Sequence, residues 1–232
     1  MEKAILHYHD LLEMLDGLLR DPKLFWENFY EDREKEIPFF KAKGPDENLA
    51  EYIQNGLQPG KVLEVGCGPG RNSIFLEKNG AQVDAIDISE KAINWAAERA
   101  NEEQATIHFE CVSLFDFHFK PHSYDFIYDS GMFHHLPPHR RLTYLEIIKA
   151  ALKPGGKFGL VCFNPDGALP TPDWEVYRIG SLKGGIGYTE GRLKAIFQDD
   201  FHLLEFRKMK KIQQPSNLFG EDFLWACLMS LK

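Results

Sequence analysis

Residues 62–73 read Val-Leu-Glu-Val-Gly-Cys-Gly-Pro-Gly-Arg-Asn-Ser, and this segment constrains the fold more than any other. A run of β-formers stops at glycines 66, 68 and 70, and a helix-compatible run follows. A strand that ends on closely spaced glycines lets backbone N–H groups approach a ligand at the C-terminal edge of a parallel sheet. The spacing narrows the choice of ligand. A dinucleotide fingerprint, G-x-G-x-x-G, requires glycine at position 71, where this chain has Arg71.

The rest of the chain repeats the strand–helix alternation. Strands are expected at 61–65, 82–86, 106–110, 124–129 and 157–163, with helices near 71–79, 89–103 and 138–152. Such alternation predicts a parallel sheet covered on both faces. Ser89-Glu90 reads as a helix start, and Lys153-Pro154-Gly155-Gly156 as a stop and turn before the fifth strand. Residues 164–187 read as one long loop rich in Gly and Pro, of the kind that serves as a lid. Thr189 is expected to cap a helix to about 198. Two last strands, 201–210 and 222–231, can pair antiparallel at one edge.

Ahead of the sheet, Ala4, Tyr8, Leu11, Leu12, Leu15, Leu18 and Leu19 recur at the helical period. Asp21-Pro22 ends that helix and starts a second one carrying Trp26, Phe29 and Tyr30. A charged connection through Phe39 and Phe40 leads to a helix over 45–55. The expectation is therefore an α/β fold: a doubly wound, seven-stranded, mostly parallel sheet at 57–232 with an N-terminal helical extension at 1–56.

Composition bounds the partners. The 232 residues carry a formal net charge of −8, which disfavours a nucleic-acid substrate. The four cysteines, 67, 111, 162 and 227, form no C-x-x-C pair and read as reduced, packed thiols of a cytoplasmic protein. No secretory signal and no membrane-spanning run is expected.

Several residues at predicted strand ends can carry chemistry. Asp87 closes the second strand, where a carboxylate can accept both ribose hydroxyls of an adenosine ligand. Glu64 can orient the glycine loop or meet a ligand's ammonium group. Cys111 to Asp116 follow the third strand, near where a base would lie. Asp129 ends the fourth strand and can polarise an acceptor, touch the ligand or cap the turn. His134 and His135 come next, within reach of general-base work but also common as packing. A metal reading of His135 and His139 fails, because Pro137 and Pro138 break the helix that would align them.

Taken together, Val62 to Ser73, Asp87, Ser113-Leu114, Asp125 to Gly131 and Leu152 to Gly156 resemble the class I S-adenosylmethionine (SAM) methyltransferases. A narrower similarity lies in Trp26 to Leu49, Ser113 to Asp116 and Tyr124 to Gly131, which resemble the thiopurine and thiol S-methyltransferases. Those enzymes carry an arginine where this chain has Ser130, a departure that bears on a thiopurine substrate. The resemblance implies SAM as cofactor and a small-molecule acceptor such as a thiol. It implies cofactor contacts from Trp26, Phe39, Glu64, Gly66, Cys67, Gly68, Arg71, Asn72, Asp87, Ile88, Ser113, Leu114, Asp129 and Ser130. Asp129 and His134 are the catalytic candidates, and no metal is expected. Oxygen, nitrogen or carbon acceptors remain open, as does a non-catalytic SAM-binding module. A short-chain oxidoreductase is disfavoured, because none of the eight tyrosines has lysine four residues later.

Overall fold

A computed structural model describes residues 4–213 and 216–232. Among these, seven strands form one sheet: β1 (Lys61–Val65), β2 (Gln82–Asp87), β3 (His108–Cys111), β4 (Tyr124–Ser130), β5 (Leu152–Phe163), β6 (Phe201–Lys208) and β7 (Leu224–Leu231). Their spatial order is β3-β2-β1-β4-β5-β7-β6. The first five run parallel, and β7 is antiparallel to both of its neighbours. After β3 the chain crosses back to the far side of β1. That reversal opens a crevice over the C-terminal ends of β1 and β4.

Helices cover both faces. α1 (Tyr8–Asp16), α2 (Pro22–Phe29), α3 (Pro38–Lys41) and α4 (Glu47–Gln54) precede the sheet. α5 (Arg71–Lys78), α6 (Glu90–Glu102), α7 (Arg140–Ala151), α8 (Asp173–Ile179) and α9 (Glu190–Phe197) are interleaved with the strands. Successive strand residues point to opposite faces, so Val62, Phe126 and Tyr128 join one buried cluster while Leu63, Ile127 and Phe158 join the other. Leu49 of α4 is fully buried in the first of these clusters, so this helix packs as part of the sheet's core.

The caps follow the sequence. Leu24 N–H donates to Asp21, Ala92 N–H to Ser89 Oγ and Arg192 N–H to Thr189 Oγ1. Three expectations are corrected. Lys153 to Gly156 follow the end of α7 at Ala151, as expected, but make no turn ahead of the strand: β5 begins at Leu152, and the pairing jumps from Tyr124–Leu152 to Phe126–Lys157. The turn residues form an irregularity inside the strand, with Gly155 at φ +72°. The 164–187 stretch contains α8, which its prolines conceal. They stand before the first turn, where a missing N–H costs nothing. Cys111 is exposed rather than packed, because it ends the edge strand β3.

Candidate functional site

Gly66 and Gly68 sit at φ +66° and +52°, conformations that disfavour a side chain. They leave β1's end bare where other groups approach closely. A Cβ on Gly66 would lie 2.9 Å from Met132 Cβ, and one on Gly68 would lie 2.9 Å from the Tyr30 hydroxyl. Cys67 between them is buried, and its N–H donates to Ile86 O across to β2. The loop is therefore a cradle roofed by the end of α2 and by the segment after β4.

Asp87 stands beside this cradle. Its two oxygens accept from the N–H groups of Gly68 and Ser89, both at 2.9 Å. Burial pushes its carboxyl up to about 6, although those two bonds pull the other way. A carboxylate has about four acceptor positions, so these bonds leave acceptor capacity open. Val112 N–H donates to Asp87 O at 2.9 Å and holds the 112–114 segment against β2. Ile88, Ser113 and the buried Leu114 thus gather at one edge with Asp87. Ser113 Oγ accepts from Phe115 N–H within its own turn.

Glu64, Arg71 and Asn72 belong to a second set. Glu64 is buried and accepts from Ser73 Oγ. Burial raises its carboxyl to about 7. Arg71 forms a buried ion pair with Asp46, just ahead of α4, and reaches Ser130 Oγ at 3.5 Å. Asp46 also accepts from Tyr128 Oη at 2.7 Å and from Asn72 Nδ2 at 3.2 Å. Asp46 N–H in turn donates to Asn72 Oδ1. This network ties the N-terminus of α4 to the start of α5, directly behind the glycine loop.

The two catalytic candidates are both engaged by the chain. Asp129 is fully buried; one oxygen accepts from Met132 and Phe133 N–H and the other from Tyr144 Oη. Burial raises its carboxyl to about 7. These bonds make it the anchor of the turn after β4. His134 Nδ1 accepts from Phe163 N–H at 3.2 Å, and its ring lies 3.8 Å from the Phe163 ring. Burial holds its pKa well below the usual value. His135 differs: its Nδ1 is buried without a hydrogen-bond partner, and its ring meets Trp26 edge-on at 4.8 Å. Burial, with Arg20 nearby, pushes it down to about 3.

The roof is aromatic. Trp26 and Tyr30 face the cradle and His135, while Phe39 lies one layer out, stacked on Phe29 at 6.2 Å. Phe40 meets Trp95 of α6. Glu27 of α2 accepts from Glu90 N–H at 2.7 Å, capping α6 from across the crevice. Asp16 of α1 accepts from His139 and Arg140, and His139 also meets Tyr177 of α8 at 2.7 Å. Asp46, Glu27 and the contact of Met132 with Gly66 were invisible in the sequence, since the groups they meet are distant along the chain.

Two open cavities lie elsewhere. One of about 500 Å³, beside Tyr52, Asp125 and Glu205, is at the opposite edge of the sheet from the glycine loop. The other, about 290 Å³, lies at the C-terminal end of β5 between Phe163, Thr171 and Gly185. Among the described residues, no helix is long and apolar enough to cross a membrane.

Comparison with known proteins agrees with this geometry. Residues 62–156 match the family described as "Methyltransferase domain". Phosphoethanolamine N-methyltransferase 1 of Arabidopsis thaliana is 29% identical over 224 residues, covering 89% of this chain and 42% of that enzyme. The chain spans less than half the length of the curated relatives it matches first. A solved structure described as "Conversion of a Disulfide Bond into a Thioacetal Group during Echinomycin Biosynthesis" superposes with TM-score 0.72 at 19% identity, covering 91% of this chain and 92% of that one. A second is 1,6-didemethyltoxoflavin-N1-methyltransferase of Burkholderia thailandensis, with bound 1,6-didemethyltoxoflavin and S-adenosylhomocysteine. It superposes with TM-score 0.65 at 18% identity, covering 100% of this chain and 93% of that one. At such identities these likenesses speak for the fold. The seven-stranded α/β architecture is the fold shared by the SAM-dependent methyltransferases, and residues 62–156 match a methyltransferase domain.

Proposed function

We propose that this protein transfers the methyl group of SAM to a small, soft nucleophile, most readily a thiol. The observation that carries the reading is the absence of a free strong base beside the turn after β4, among the described residues. Both oxygens of Asp129 are taken by the turn and Tyr144. His134 spends Nδ1 on Phe163, and His135 is held near pKa 3, where it takes a proton poorly. An ordinary thiol ionises near pH 8.5 and needs little help, whereas an amine or hydroxyl needs more.

Bound SAM supplies a methyl group activated by a sulfonium. The chain's residues bind, align and shield. Asp87 holds the ribose, the Gly66–Gly68 backbone meets the amino-acid end, and Ser113 with Leu114 flanks the base. Trp26 and Tyr30 form the inner face of a lid attractive to a cation, with Phe39 packed behind them on Phe29. Methyl transfer is an in-line displacement, so alignment alone can supply much of the rate. The related proteins are named for nitrogen acceptors, for oxygen acceptors and for disulfide chemistry, so they leave the acceptor atom to the site itself.

The test is release of S-adenosylhomocysteine with matched small thiols, amines and phenols. The rate with thiols is expected to be greatest and to rise with pH up to the acceptor's own pKa. His134→Ala and His135→Ala are expected to lower it by much less than the 10²–10⁴-fold that follows loss of a general base. A His variant that abolishes turnover while still binding SAM would turn the reading toward an oxygen, nitrogen or carbon acceptor. SAM binding with no turnover on any acceptor would leave a SAM-binding module.

A further inference from the structure

We propose that the cavity at the end of β5 receives the acceptor and that Lys183 recognises an oxyanion group on it, a carboxylate or a phosphate. This rests on the methyl-transfer reading and adds the chemical class of the substrate. The first observation is position. The His134 ring separates the cavity from the end of β4. A Cβ on Gly131 would lie 3.6 Å from its Cε1, and one on Gly185, in the cavity wall, 3.2 Å from its Cδ2. A substrate whose oxyanion end fills this space must reach past the edge of the His134 ring to present its reacting atom in the crevice.

The second observation is charge. Phe163, Gly167, Ala168, Leu169, Thr171, Lys183, Gly184 and Gly185 line the cavity, and Lys183 alone among them is charged. Glu175, whose carboxyl senses Lys183, is held by Arg178 through two hydrogen bonds of 2.7 and 2.5 Å. Lys183 is exposed, and among the described residues its ammonium makes no ion pair, so it can meet an anion. Leu169, 67% exposed at the wall, offers apolar surface to the rest of the molecule.

The third observation is the backbone. Lys183 adopts φ +48°, followed by Gly184 at +87° and Gly185 at +148°. A lysine in the left-handed region is disfavoured where glycine would be at ease. Such strain collects at ligand sites, where the side chain is worth more than the relaxed backbone.

The test titrates the full-length, ¹⁵N-labelled protein with inorganic phosphate and, separately, with acetate. Saturable shifts are expected at the amides of Ala168, Gly184 and Gly185, and the tighter anion identifies the group. Lys183→Gln is expected to weaken that binding at least tenfold. Absence of saturable shifts, or equal affinity in the variant, overturns the proposal. Lys183→Gly is expected to lose anion binding with a Tm at or above that of the parent; a lower Tm means that Lys183 is held there by packing, and also overturns it. Calorimetry with SAM on the same sample separates the two readings. Intact SAM binding without an anion response sinks the substrate class alone, and absent SAM binding sinks the methyltransferase reading.

Discussion

Single residues divide here into those that can meet a ligand and those that the chain has already engaged. Asp87 is of the first kind, with spare acceptor positions beside a bare glycine loop. Replacing it by Ala should remove two charge-assisted hydrogen bonds, each worth roughly 1.5–3 kcal/mol, and weaken SAM binding at least tenfold by calorimetry; unchanged affinity would remove the ribose assignment. Glu64 invites a pH test. Its carboxyl ionises near 7 in the folded chain, against 4.5 ordinarily. Below about pH 4.5 both states are protonated. Between 4.5 and 7 the unfolded chain ionises first, so this group's contribution falls as pH rises and then levels off. At 1.36 kcal/mol per unit the total loss is about 3 kcal/mol. The stability of Glu64→Gln relative to the parent should therefore rise by up to that amount from pH 4.5 to 7.5 in denaturant melts. The buried histidines act in the opposite direction, but they are common to both proteins and cancel in the difference. A flat difference would mean that Glu64 is ionised throughout.

At the scale of elements, α1, α2 and α3 form a cover built from separable contacts, while α4 belongs to the core. Trp26 meets His135, Glu27 caps α6, and Asp16 is held by His139 and Arg140. Tyr30, Phe40 and Ala92 make a small cluster separate from the two large ones. An element attached in this way opens at lower free energy than the sheet. Amide exchange over residues 26–40 should be faster than in β1 and β4 and should slow when SAM binds. Asp16→Asn should speed it further. Exchange as slow as that of the sheet, unaffected by SAM, would make this segment permanent packing. The sequence reading recognised the cover's aromatic residues but missed α8, because a short helix behind two prolines resembles a loop in composition. It placed the strands well, since each combines β-formers with a turn or cap at its end.

Across the whole molecule, cofactor binding should appear as added stability. A ligand at about 100 times its Kd stabilises by about 2.7 kcal/mol, which for a chain of this size corresponds to a rise in Tm of roughly 5–10 °C. SAM and S-adenosylhomocysteine should both produce it in a thermal melt, and NAD should not; a larger rise with NAD would contradict the site. The glycine spacing, Asp87 and the alternation of strands and helices were legible because they are local: backbone conformation, strand ends and hydrophobic period are set by neighbours in the chain. The sequence by itself therefore determined the doubly wound, mostly parallel sheet with its antiparallel pair at one edge; the order of the strands came from the tertiary structure. Tertiary structure alone decided which polar groups are spent. The sequence left Asp129 open between chemistry and capping the turn, and His134 between base and packing, because Tyr144 and Phe163, which engage them, lie 15 and 29 residues away. Asp46 became the partner of Arg71 across 25 residues. Hydrogen bonds and burial of that kind follow from packing between elements, and no local pattern records them.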